Sequence, residues 1–317
     1  MKGPSGIERR LSKYGYIFVL PFLITYVLFQ LWPIIYTILL SFSDLKGLRA
    51  DFMLIGFENY KKLFGDKYFW EAIQNTAIVW FFNFVPQLGI ALLFALWFTD
   101  DTLRLKYKGI FRTIFYLPNL LSAASVAMLY RSLFAYPVGP VNSFLTGLGF
   151  WSTRIGENGQ VIQEAFNFFR SVPMTRAIVS YIQWWLWTGS TLILLIAGIV
   201  GISPSIFESA VIDGANKRQR AWYITIPLLR PMMLYLLITS MIGGMQMFEI
   251  PFLLTDMRGG PDYKIRTMMV YFYNTAFQGG NNYAYGAAIS VGIFIITVIL
   301  AIIIFSMMKE RQPKSVG

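Results

Sequence analysis

The chain has 317 residues, 56% hydrophobic and 17% aromatic, with only 14% charged and a formal net charge of +11. Soluble domains carry about 25% charged and about 45–50% apolar residues, so this composition would leave a soluble surface poorly hydrated; disordered, collagenous and disulfide-framework classes are excluded by the same figures. The absence of cysteine and histidine removes thiolate chemistry and the commonest metal ligand and general base, and what remains is an integral membrane protein.

A hydrocarbon core of about 30 Å takes roughly 20 helical residues to cross, and charge-free runs of that order recur along the chain. The first covers 14–43, behind a basic N-terminal segment. It is too long for a signal peptide and no small-residue cleavage site follows, so it reads as a retained helix, kinked or bounded at Pro21 and Pro33. The second covers 75–99 and contains Asn83, Pro86 and Gln87 on or near one face; amides unpaired in lipid cost free energy, so these are expected to face another helix. The third, fourth and fifth cover 113–130, 177–207 and 231–248. The last, 267–308, is too long for one span, and Gly279, Gly280, Asn281 and Asn282 mark a loop before a helix from about Tyr285. Transmembrane strands need alternation over about ten residues, whereas runs such as 191–197 are apolar on every face. Helices satisfy their own backbone in lipid. The expected fold is therefore all-α: a polytopic membrane protein with six transmembrane helices.

Six spans place both termini on one side. Segments 1–13, 99–112, 201–230 and 309–317 hold 15 Lys/Arg in 66 residues, against 12 in the 109 residues of 42–74, 131–176 and 255–284. This density, about twice as high, puts both termini in the cytoplasm by the positive-inside rule. The positive charge thus reads as a topology signal whose partner is the lipid bilayer and its anionic headgroups. No nucleic-acid partner is expected, because the basic residues are spread over every loop. Three regions follow: residues 1–70 with the cytoplasmic N-terminus, first helix and outer loop; a five-helix core over 71–308 containing the cytoplasmic loop 201–230; and a cytoplasmic tail, 309–317.

That loop is unusual. Ser203 can cap a helix whose first residue is Pro204, while Ser205 and Glu208 have capping-box spacing and offer a second start. Gly214 suits the left-handed residue that ends a helix. About ten residues result, too few to span. Ile206 with Ala210, and Phe207 with Val211, pair at i,i+4 in an apolar stripe, and Glu208 and Asp213 lie off it. Two readings stand: a knob for a groove in a soluble partner, or a helix lying in the headgroup layer.

The sequence Glu208-Ser-Ala-x-x-Asp-Gly-Ala215, followed by Ile226-Pro-Leu-Leu-x-Pro231, resembles the EAA loop of ABC importer permeases, most closely the binding-protein-dependent sugar branch of the maltose and glycerol-phosphate type. Gly56-Phe-Glu-Asn-Tyr60, Phe69-Trp-x-Ala-x-x-Asn-Thr76, Phe111-Arg-x-x-Phe-Tyr-Leu-Pro118, Leu254-Thr-x-x-x-Gly-Gly-Pro261 and Tyr283-Ala-Tyr-Gly-Ala-Ala-x-Ser290 resemble further segments of that family, in order along nearly the whole chain. Ser209 departs from the family's alanine, Glu249 stands where aspartate is frequent, and the turn 255–260 is longer than usual.

The resemblance implies the type I ABC importer transmembrane fold in a bacterial inner membrane. It also implies a second homologous permease subunit, two ABC ATPase subunits and an extracytoplasmic solute-binding protein that delivers a sugar or oligosaccharide. Glu208, Ser209, Ala210, Asp213 and Gly214 would dock an ATPase. No cofactor would bind this chain: ATP and Mg²⁺ would sit on the ATPases, in keeping with the lack of any G-x-x-x-x-G-K-[ST] loop.

For the substrate path the sequence offers Gln183, Trp184 and Trp187 at the start of the fourth run, Asn83 and Gln87 in the second, and Gln246 and Glu249 at the end of the fifth. The tryptophans fit an interfacial aromatic belt, or stacking against sugar rings. Glu249, counted up a continuous helix from Arg230, falls near the outer surface, where it reaches water, pairs with a base such as Arg131, or serves the mouth of the path. Intramembrane acids also mark ion-coupled secondary transporters, and Glu249 keeps that alternative in view. A membrane-embedded enzyme has little support without histidine, cysteine or paired intramembrane carboxylates. A non-transporting scaffold would use the short helix merely to recruit a partner.

Overall fold

The structure, a computed structural model, describes residues 6–47, 51–100, 106–155, 158, 160–279 and 281–308. The expected tail 309–317, Gly280, and parts of two basic segments, 1–5 and 101–105, lie outside the described residues. Four helices are long and apolar enough to cross a bilayer: Tyr14–Ser41, Lys67–Thr99, Val172–Val200 and Tyr283–Met307. Two helix pairs, Lys108–Leu120 with Ala123–Leu133 and Lys217–Leu228 with Arg230–Met245, bring the number to six if each is one span.

Taken as single spans, the third and fifth are bent, by 91° and 61°. In the third, a 3₁₀ turn at Leu117–Leu120 contains Pro118, and Leu121 and Ser122 are extended before the next helix starts. In the fifth, Pro231 has no N–H to give the carbonyl four residues back and its ring crowds that carbonyl, so the ladder breaks at Leu229. The fourth run ends as a helix at Val200, and the second helix begins at Lys67, eight residues before the charge-free run, because a solvated helical turn may carry charge. The first run is helical throughout, with a π turn at Val27–Leu31 in which Trp32 N–H donates to Val27 O. Pro33 follows at once, and a proline forces such a slip in the ladder.

The chain groups into two compact units, Met1–Asp66 with Phe272–Phe294, and Lys67–Tyr271 with Ile295–Gly317. In the first, Asn59 Nδ2 donates to the carbonyls of Ser41 and Ser43 at 3.0 and 2.8 Å, fixing the chain where the first helix ends. Tyr285 Oη donates to Asp66 Oδ2 at 2.5 Å, Lys62 Nζ lies 4.1 Å from the Tyr285 ring centroid, and Ala284 N–H donates to Leu45 O.

In the second unit the Lys67–Thr99 and Val172–Val200 helices pack along their length. One apolar cluster, including Val79, Val126, Ile182, Ile250, Leu254 and Ile265, lies toward the start of the latter helix. Another, including Ala91, Ala95, Leu192, Leu195, Ile199 and Leu229, lies toward its end. Gly189 lets the bent third span cross in backbone contact, since a Cβ there would lie 2.6 Å from the Phe115 carbonyl carbon. Gly198 likewise receives Leu229, whose Cδ2 lies 2.8 Å from where a Cβ would stand. The strands described are a hairpin, Ser152–Ile155 against Val161–Glu164, antiparallel with Ser152 opposite Glu164; it lies in a connecting segment and leaves the spans all-helical.

Candidate functional site

The short helix of the loop runs Pro204–Ile212, with Ser203 at its N-cap in extended conformation and Pro204 in the first turn. The alternative start at Ser205 is not used. Ser203 and Ser205 share a hydrogen bond of 2.8 Å between their hydroxyls, and the reciprocal box forms one element later, where Asn216 Oδ1 accepts from Gln219 N–H at 2.9 Å and Gln219 Oε1 accepts from Asn216 N–H at 2.8 Å. Gly214 is left-handed at φ 78°. Gly214 N–H donates to Val211 O at 3.0 Å and Ala215 N–H to Ala210 O at 2.9 Å, the paired closure of a Schellman cap.

Side chains tell a different story from the backbone. The expected apolar stripe is split: Ala210 is 8% exposed and Phe207 half-buried, while Ile206, Val211 and Ile212 are exposed, Ile212 to 85%. Glu208, Ser209, Asp213 and Gly214 are exposed as well. The loop therefore contains a helix closed at its C-terminal end, with no side-chain cap at Ser203, that presents both apolar and acidic groups outward.

Of the seven residues suggested for a path, six border one cavity of about 560 Å³: Asn83, Gln87, Gln183, Trp187, Gln246 and Glu249. Asn83 and Gln87 are one turn apart and face neighbouring helices, as amides in lipid require. Gln87 Nε2 donates to Thr191 Oγ1 at 2.6 Å. Asn83 Oδ1 is buried and, among the described residues, accepts no hydrogen bond. Trp80 Nε1 ties the same helix to the Ser240 carbonyl at 3.1 Å, and Gly244 makes room for that indole.

Trp184 stands apart. Consecutive helical residues project about 100° from one another, which turns Trp185 away from Trp184; Trp184 and Trp187, three residues apart, are neighbours on the helix surface but meet different cavities. Trp187 borders the cavity just described, Trp185 packs on the Val79–Ile182 cluster, and Trp184 lines another cavity of about 610 Å³ with Phe82, Pro86 and Tyr181.

Glu249 needs two corrections. The helix it was counted along ends at Met245, and Glu249 opens a separate short helix, Glu249–Leu254, so its height cannot be counted from Arg230. It is exposed, and Arg131 pairs elsewhere, with Asp256 Oδ1 and with Leu253 O at 2.9 Å.

Sequence reasoning matched Asn75-Thr76 to a family segment but gave it no role. Both residues are buried and clasp the return segment after Glu249. Asn75 Nδ2 donates to the carbonyls of Tyr263 and Arg266 at 2.9 and 3.2 Å. Arg176 Nη2 donates to Asn75 Oδ1 at 2.8 Å and to Lys264 O at 3.1 Å. Thr76 Oγ1 accepts from Met268 N–H at 3.0 Å. The Arg266 guanidinium lies 4.9, 4.4 and 4.8 Å from the rings of Tyr68, Tyr263 and Tyr271, within cation–π range. Buried amide plus hydroxyl at adjacent positions was the only available signal; their partners lie about 190 residues away.

No family model matches the chain. The lactose transport system permease protein LacF of Rhizobium radiobacter is 30% identical over 308 residues, covering 97% of this chain and 98% of that protein. The multiple sugar-binding transport system permease protein MsmF of Streptococcus mutans is 29% identical over 309 residues, covering 96% and 99%. Among solved structures, the fold matches a chain of a bacterial alginate ABC transporter, crystallised with an alginate pentasaccharide-bound periplasmic protein, with a TM-score of 0.77, 23% identity and 95% of each chain covered. Matched along nearly its whole length by these transport proteins, the chain belongs to the family of permease subunits of sugar ABC transport systems.

Proposed function

We propose that this permease is one half of the translocation path of an ATP-driven importer for a sugar or oligosaccharide, with both termini in the cytoplasm of a bacterial inner membrane. A second, homologous permease completes the path and an extracytoplasmic binding protein delivers the substrate. Two ATPases supply the energy; the permease does no bond chemistry, binds no cofactor, and leaves ATP and Mg²⁺ to those subunits. Glu208, Ser209, Ala210, Asp213 and Gly214 form the ATPase docking site. The observation that carries the reading is the exposure of Ile206, Val211 and Ile212 on a helix whose C-terminal end is already closed by its own backbone: its apolar side chains lack cover.

In this reading substrate hydroxyls meet Asn83, Gln87, Gln183, Gln246 and Glu249, and the exposed face of Trp187 offers a stacking surface. Trp184, on the other cavity, has no path role. ATP-driven closure of the ATPases moves the docking helices together and switches the path between its two openings.

The test is uptake and co-purification with Glu208→Ala in reconstituted complexes. Uptake is expected to fall about tenfold or more, as a docking loss of roughly 1.4 kcal/mol would give, with ATPase retention falling alongside. Wild-type uptake and wild-type assembly would show the docking site to be elsewhere. The ion-coupled alternative rests on the exposed carboxylate of Glu249 at the cavity. It requires uptake by vesicles without ATP, abolished in Glu249→Gln.

A further inference from the structure

A cavity of about 860 Å³ lies between the loop that follows Val200 and the ends of the Lys67–Thr99 and Val172–Val200 helices. Apart from Glu208 at its rim, transport as proposed above makes no use of it. Its lining is of two kinds. Trp97, Phe98, Ile199, Val200 and Phe207 are apolar; Lys108, Arg112, Lys217, Arg218 and Arg220 are basic, against Asp100 and Glu208 among the described residues.

The two acids do not neutralise the five bases. Lys217 Nζ takes the Asp100 carboxylate at 3.2 Å, and Lys108 Nζ donates to the Asp100 carbonyl at 3.3 Å. Glu208 makes no ion pair among the described residues. The Nε atoms of Arg112 and Arg220 are buried and, among the described residues, reach no acceptor. A buried donor without an acceptor costs free energy, and like charges around one cavity repel. An anion between the two guanidiniums relieves both, and guanidinium forks suit phosphate oxygens.

The depth of the cavity identifies the anion's source. Lys108 and Arg112 lie one turn apart on the Lys108–Tyr116 helix, whose Ile110, Phe111 and Ile114 are exposed, and the exposed Trp222 and Tyr223 follow Arg220. Exposed aromatic and aliphatic side chains interleaved with bases mark the headgroup level of a bilayer. A free phosphate has no use for the apolar lining, whereas a phospholipid has.

The geometry points to a binding site for an anionic phospholipid, its phosphate between Arg112 and Arg220 and its acyl chains along Trp97, Ile199 and Val200. Basic pockets between spans on the cytoplasmic side hold such headgroups; the choice of leaflet rests on the orientation proposed above, the chemistry does not. The lipid is a wedge under the loop, touching the base of the docking helix at Phe207 without occupying its exposed face.

The full-length chain, purified with the subunits that accompany it, is analysed by native mass spectrometry with phosphatidylglycerol, phosphatidylcholine or inorganic phosphate added. Phosphatidylglycerol is expected to be retained in preference to phosphatidylcholine. The Arg112→Gln/Arg220→Gln double variant should lose that preference by roughly 30-fold, two cations each contributing about a fivefold factor. Arg112→Lys/Arg220→Lys, which keeps the charges, should retain most of it. An unchanged preference in the folded glutamine double variant overturns the site. Displacement of phosphatidylglycerol by millimolar inorganic phosphate overturns the lipid and leaves a free-anion site. If the double variant does not fold, a photoactivatable phosphatidylglycerol bound to the wild-type protein decides: labelling within 97–112 or 217–225 supports the site, and labelling only elsewhere overturns it. None of these measurements needs ATP or a sugar. Failure here therefore leaves the transport reading intact, and failure of the Glu208→Ala uptake test leaves lipid retention by the wild-type protein to be decided on its own.

Discussion

Two segments that leave the membrane-spanning helices of the larger unit, 201–229 and 249–268, are opposite in character. The second is tied down through side chains: Asn75, Thr76 and Arg176 hold four of its backbone groups, the carbonyls of Tyr263, Lys264 and Arg266 and the N–H of Met268, and Ile250, Leu254, Ile265, Thr267 and Met268 are all buried. At Gly259, left-handed at φ 78°, a Cβ would stand 2.7 Å from Arg266 N, so the segment folds tightly back on itself. The first closes its backbone at the Gly214 turn and the Asn216–Gln219 capping box, yet only Ala210, Thr225 and Leu229 of its side chains are buried. One segment is finished within the chain; the other leaves most of its side chains for something else to cover.

The contrast can be broken most severely at Asn75. Asn75→Ala takes the acceptor from an Arg176 N–H and a donor from the carbonyls of Tyr263 and Arg266, the first of which keeps its bond from Arg266 N–H; it should cost about 3 kcal/mol, read as a lower melting temperature in detergent and as new proteolytic cleavage within 256–266. Thr76→Val keeps the shape but removes the acceptor for Met268 N–H, at about 1–2 kcal/mol by the same assay. Gly214→Ala should cost about 1 kcal/mol of local strain at its positive φ. Its effect belongs to the loop alone: hydrogen exchange over 204–215 should rise while the melting temperature stays near wild type. Arg131→Gln is the smallest change, under about 1 kcal/mol, because its ion pair with Asp256 is solvent-exposed. A melting temperature that fell more for Gly214→Ala than for Asn75→Ala would reverse the comparison.

The loop was the more legible of the two from sequence. Caps are local: a serine before a proline and a glycine after ten residues state where a helix starts and stops, and Pro204–Ile212 lies between them. The same residues could not say which way the helix rolls, so the apolar stripe read as one face is split between Phe207 with Ala210 and the exposed Ile206 with Val211. Hydropathy located the spans without their shape, because composition is unchanged by a bend at Leu121 or Leu229. The break after Met245 was invisible since Gln246, Met247 and Phe248 are all acceptable helix residues, and that is why Glu249 cannot be placed by counting from Arg230. The clasp was out of reach for another reason: nothing near Asn75 names Tyr263 or Arg266 as its partners. Side-chain direction within the tryptophan cluster was out of reach as well: Trp184 and Trp187, three residues apart, are neighbours on the helix surface by spacing, yet they border different cavities.

The seating of Leu229 against Gly198 has a mechanical consequence. The chain leaves the Val172–Val200 helix just past Gly198 and re-enters the membrane-spanning part at Leu229, so the intervening thirty or so residues form a hoop whose two ends meet at a single notch. A pull on the hoop is not spread along two separate stalks. It arrives at one fulcrum, and from there it turns the Arg230–Met245 helix against the long helix to which the notch belongs. A bulkier residue at Gly198 would leave the hoop folded and its caps intact, yet shift the point about which it levers.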